Sequence, residues 1–102
     1  MARSILASVG ASGTNRKDDS MTVQDLLNQV PMGQGGPDPL LAVDGLLWQK
    51  TIAAIKRFQK IQVNLKFPDG RVDPNGPTLA ALNKFDEPKV AEQVPMSRVF
   101  LV

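Results

Sequence analysis

Few side chains in this sequence are able to carry out a reaction. The chain of 102 residues holds no His and no Cys, so a Ser–His or Cys–His nucleophile system is excluded. Carboxylate acid–base chemistry remains. The adjacent pairs, Asp18 with Asp19 and Asp86 with Glu87, sit in hydrophilic stretches where nothing raises a pKa. A metal centre has only carboxylates and carbonyls to draw on, a donor set for Ca²⁺ or Mg²⁺ and not for zinc. The acids at Asp69 and Asp73 lack the closing Glu of an EF-hand loop. The expectation is a protein that is not an enzyme and that has no cofactor and no metal.

Charge narrows the partners. Twelve basic residues against ten acidic leave a net +2. The pI near 9.2 reflects a titration curve flattened by the lack of His. No run of Lys or Arg exceeds two, which reads as a mixed, solvated surface and argues against nucleic acid. No stretch nears the ~18 apolar residues of a membrane span, so no membrane partner is expected. The patch from Ile5 to Val9 is shorter than the apolar core of about 7–15 residues in a secretory signal. A place in the cell envelope or periplasm would then need a secretion system, another non-Sec release or a phage origin. The length fits a single domain of modest stability, with no Cys for a disulfide.

The elements that must position any binding residues read as helices. Val23, Leu26, Leu27 and Val30 recur at i, i+3, i+4 and i+7 in a first helix that Pro31 ends. Asp18, Asp19, Ser20 and Thr22 are N-cap candidates for it, and Thr22 with Asp25 has capping-box spacing. Residues 31–43, PMGQGGPDPLLAV, read as loop. A second helix spans about residues 48–62, with Thr51, Ala54, Ile55 and Phe58 on one face. Residues 64–77 read as consecutive turns, in which Leu65, Phe67 and Val72 either plug the core or form a short hairpin. Pro77 opens a third helix bearing Thr78, Ala81, Leu82 and Phe85, and Pro88 stops it. The polar tail ends in SRVFLV, either an edge strand against residues 5–9 or an exposed end. The fold class expected is all-α: a compact three-helix bundle with long Gly/Pro loops and extended arms. Its arm is residues 1–17, its domain 18–87 and its tail 88–102.

The octad TIAAIKRF from Thr51 is repeated as TLAALNKF from Thr78, and each copy follows an Asp-Gly, Asp44-Gly45 and Asp69-Gly70. Ala lets two helix axes approach while Ile, Leu and Phe fill the space between them, so the octads should form a pseudo-symmetric helix pair. Val23-Gln24 with Leu26-Leu27, then Val43-Asp44-Gly45, Thr51, Ala54, Phe58-Gln59, and Gly76-Pro77-Thr78 with Leu82-Asn83, together resemble the peptidoglycan-binding-like domain. That module is a three-helix unit often appended to bacterial and phage cell-wall hydrolases. The resemblance covers roughly residues 18–85. It departs where the family has Gly-Pro and this chain has Trp48-Gln49, a change expected to alter the shape of that loop.

The resemblance implies non-catalytic binding of peptidoglycan, through its glycan strand or its stem peptide, near the loop of residues 44–51 and the start of the third helix. Trp48 either covers the core or offers an aromatic face to a sugar ring. Gln49, Lys50, Arg57 and Arg71 are polar partners for carboxylates, although exposed Lys and Arg also serve solubility alone. Asp44 and Asp69 either shape turns or meet ligand. Gln59 is expected to hydrogen-bond internally to a loop. Thr51 and Thr78 are expected as caps or buried hydroxyls, and Phe58 and Phe85 as core. The rival reading is a protein–protein adapter in a phage or secretion assembly, with SRVFLV adding a strand to a partner or to a second copy.

Overall fold

Helix α1, Lys17–Asn28, forms because Val23, Leu26 and Leu27 line one side and are buried, with Val30 buried just past its end. It starts earlier than the capping signals suggest. Arg16 is the N-cap and supplies no side-chain cap bond. The expected Thr22–Asp25 capping box is absent: the Thr22 hydroxyl donates to the Asp18 carbonyl inside the helix, and Asp25 pairs with Arg3. Asp18 and Asp19 in the first turn compensate the helix dipole instead. Asp19 also accepts the Leu6 and Ala7 N–H groups at 3.1 and 3.0 Å, which fastens the N-terminal arm to α1.

Helix α2, Gln49–Phe58, buries Thr51, Ala54, Ile55 and Phe58, the expected stripe. It stops short of residue 62 as an α-helix and widens into a π turn over Gln59–Val63. Asn64, at φ 58°, ends that turn, and the Leu65 N–H donates back to the Gln59 carbonyl at 3.2 Å. Helix α3, Pro77–Asn83, begins with Pro at its first position and buries Thr78, Leu79, Ala81 and Leu82. The loop between α1 and α2 holds one 3₁₀ turn, Met32–Gln34, which its Gly and Pro content did not suggest.

The computed structural model describes residues 3–86, in which three α-helices are joined by a two-stranded antiparallel ladder. Strand β1, Val9–Gly10, pairs with β2, Arg71–Val72, with Val9 opposite Val72 and Gly10 opposite Arg71. The ladder amends the all-α expectation. Residues 64–72 make no hairpin of their own, because Val72 enters the core and its segment pairs with the N-terminal arm. The possible strand from SRVFLV lies outside the described residues.

The core draws on the arm, the three helices and β2: Ile5 and Val9 from the arm, Leu26 and Leu27 from α1, Ile55 and Phe58 from α2, Val72 from β2, and Leu82 from α3. The octads do not pack along their alanine faces as expected: α3 lies against the π turn that follows α2, and the octads meet at their closing residues, where the Phe58 and Phe85 rings are edge to face at 6.1 Å and 76°. Among the described residues no helix is long and apolar enough to cross a membrane.

Candidate functional site

The site is built around a side-chain amide. Gln24 is on α1 and almost fully buried. Its Oε1 accepts the Asp44 and Gly45 N–H groups at 3.1 and 2.9 Å. Its Nε2 reaches Asp44 Oδ1, the Leu46 carbonyl and Thr51 Oγ1 at 3.0–3.3 Å. One glutamine thus satisfies a whole turn of backbone and ties it to the start of α2. A buried polar group must be paired in this way, because an unpaired one costs about 1–3 kcal/mol.

The same clasp recurs around Gln59. Its Oε1 accepts the Gly70 N–H at 2.9 Å, and its Nε2 donates to Asp69 Oδ1, the Arg71 carbonyl and Thr78 Oγ1 at 2.8, 3.0 and 3.2 Å. Gly45 and Gly70 lie at φ +77° and +71°, where a side chain is strained. A Cβ there would also come within 2.6 Å of Lys17 Cγ or 3.0 Å of Lys56 Cε. The sequence duplication is therefore a duplicated hydrogen-bond unit, Gln to Asp-Gly to Thr, and it extends beyond the octads.

Electrostatics follow from the clasp. The Leu46 N–H holds the Asp44 carboxyl below its ordinary value; loss of solvation opposes it, and the Gln24 amide and the Asp44 N–H add to the lowering. Asp69 is lowered likewise, first by the Gln59 amide, then by the Arg71 N–H and the Arg71 charge.

The first clasp forms the base of a cleft of about 540 Å³, within the usual range for small-ligand sites. One wall is α2, presenting Lys50, Ala53, Ala54 and Arg57 at helical spacing, with small alanines as its floor. The other is the loop of residues 37–42, including Pro39 and Leu40. A second amide fixes that wall: Asn28 Oδ1 accepts the Leu41 N–H and Asn28 Nδ2 donates to the Leu41 carbonyl, both at 2.8 Å. Arg57 Nη2 donates to the Met32 carbonyl at 3.2 Å, which orients the guanidinium at the cleft's edge.

Of the residues singled out from sequence, Asp44, Trp48, Lys50 and Arg57 line this cleft together. Trp48 does not cover the core, as it is 65% exposed. Gln49 is exposed as the first residue of α2 and is not among the lining residues. Arg71 lies away from the cleft, where β2 pairs with Gly10 and the guanidinium forms an ion pair with Asp73 at 3.0 Å. The start of α3 borders a separate, smaller hollow against Arg3 and Ser4.

With Trp48-Gln49 in place of Gly-Pro, α2 is entered as α3 is. Trp48 caps α2 at φ −90°, ψ 172°, and Gly76 caps α3 at φ −90°, ψ 173°. This is extended backbone open to any residue, so Trp48 enters α2 with the same cap conformation as Gly76 enters α3.

Gln24, Asn28 and Leu41 were not foreseen as part of the site. Their signal was two amides, Gln24 and Asn28, spaced i, i+4 beside the apolar stripe of α1. Among the described residues no three acidic side chains gather as a metal-binding group. No family model, no curated protein and no solved structure matches the chain.

Proposed function

We propose that this chain is a non-catalytic binding module for bacterial cell-wall peptidoglycan, a three-helix bundle of the peptidoglycan-binding-like type with two pseudo-repeated helices. The observation that carries the reading is the exposed Trp48 at a cleft that also presents Lys50 and Arg57. An indole face suits the apolar C–H face of a sugar ring, and the two cations suit carboxylates. The sequence resemblance supplies the polymer; the cleft supplies a place of suitable size. Residues 18–87 would be the wall-binding unit, acting in the envelope or periplasm.

Co-sedimentation with purified murein sacculi tests this. The protein should pellet with the sacculi, and Trp48→Ala should weaken pelleting without lowering the melting temperature. Failure to pellet at any salt concentration, alongside a wall-binding control that does, defeats the reading. Clearing of a sacculus suspension would show catalysis and defeat the non-catalytic part.

A second reading, a protein–protein adapter, draws on exposed Leu40 and Leu46 beside Trp48 at the same cleft. Size exclusion with light scattering, before and after deletion of residues 97–102, separates it. A dimer lost on deletion supports the adapter, and a monomer in both forms removes self-association through the tail.

A further inference from the structure

The net charge of +2 conceals an uneven distribution. From residue 45 to residue 68 the chain contains five cations, Lys50, Lys56, Arg57, Lys60 and Lys66, and no Asp or Glu. All five are exposed. Thr51, Ala54, Ile55 and Phe58 turn one side of α2 into the core; of the exposed cations, Lys50 and Arg57 flank the cleft and Lys56 lies about 100° further round the helix, its stem near Gly70. Lys60 continues from the π turn. The ion pairs among the described residues engage Arg3, Arg16 and Arg71 and leave these five without a carboxylate partner. Charge neutralisation within the fold therefore does not account for them.

The strip also has direction. Lys50 and Arg57 are seven residues apart on one helix, roughly 10 Å along its axis, and both face the cleft. Of the acids at the cleft, Asp38 belongs to the loop wall opposite α2 and Asp44 to the clasp at the base, where its carboxylate is already engaged by Gln24 and the Leu46 N–H. A ligand carboxylate is repelled from the loop and drawn to the helix. The cleft beside the strip is concave, which suits a chain laid along α2 better than a flat bilayer.

We infer that the solvent side of α2 is a cationic docking strip for the peptide carboxylates of the wall polymer, so that the module grips stem peptides and not only sugar rings. This rests on the wall-binding reading and adds which part of the polymer is held. No covalent step is involved.

The test is co-sedimentation of the full chain with two preparations of the same sacculi. One is untreated; in the other the carboxylates are converted to amides with carbodiimide and ammonia, which leaves the glycan intact. Amidation should weaken binding about tenfold, the sum of several modest exposed ion pairs. Binding to untreated sacculi should weaken steadily with added salt. Lys56→Glu with Lys60→Glu should approach the amidated level while the far-ultraviolet spectrum stays unchanged. Lys84→Glu, an exposed cation just past α3, should bind as the parent does.

Equal binding to both preparations overturns the strip and leaves sugar recognition, and with it the wall-binding reading, intact. A loss from Lys84→Glu equal to that of the double variant also overturns it, because net charge alone then governs. Tighter binding to a single-stranded oligonucleotide than to untreated sacculi reassigns the strip to nucleic acid. No binding to untreated sacculi sinks the wall-binding reading and the strip together.

Discussion

Gln59 concentrates more hydrogen bonding than its one side chain suggests. Its replacement by Ala strands the Gly70 N–H, the Arg71 carbonyl and the Thr78 hydroxyl in or near the core. We expect Gln59→Ala to cost about 2–4 kcal/mol in urea unfolding, with Gln24→Ala in the same range. The carboxylates in the two clasps make a second prediction. Asp44 and Asp69 have folded pKa values below their ordinary 3.8. Their stabilisation is therefore complete above the ordinary value and is lost as pH falls through the lower folded value. The urea midpoint should hold from neutrality to about pH 5 and decline below about pH 4. Asp69→Asn should start lower and show a shallower decline. The sequence disclosed half of this scheme. Asp-Gly is a local turn signal, and Gln59 directly follows the core residue Phe58. Gln24 acts on a turn 20 positions away across a Gly/Pro segment, and no local pattern encodes that reach.

At the scale of elements, polar side chains on helices hold extended backbone that has little structure of its own. Asp19 holds residues 6 and 7, Asn28 holds Leu41, and Asn83 holds Arg3 through its N–H and carbonyl at 2.8 and 2.9 Å. The helices were legible because apolar periodicity is a property of neighbouring residues. The cleft wall was not, because Gly and Pro state that a segment is not helical without stating where it lies. Asn28→Ala separates the two roles. It should lower stability by only about 1–2 kcal/mol, since Leu41 is at the surface edge of the core. Amide exchange at Leu41 should quicken, and sacculus binding should fall because the loop side of the cleft is released.

For the whole molecule, a small core leaves a narrow margin. Stability of roughly 0.05–0.15 kcal/mol per residue is typical. Phe58 is fully buried and touches Phe85, linking the two repeated units at their ends. Phe58→Ala should cost about 3–5 kcal/mol. A thermal melt should show the variant largely unfolded at temperatures where the parent is intact. The octads were readable as helices, yet their end-on meeting was not, because periodicity fixes which side of a helix is buried and leaves the crossing geometry open.

The two glutamine clasps close over unequal spans, 20 residues from Gln24 to Asp44 and 10 from Gln59 to Asp69. Doubling the enclosed chain adds only about 0.6 kcal/mol of loop-closure entropy, so the same closure serves both spans. The longer span carries one side of the cleft; the shorter carries none of it. The segment between Pro31 and Ala42 thus widens the molecule's outer relief while two buried glycines, Gly35 and Gly36, keep its root moored to the scaffold.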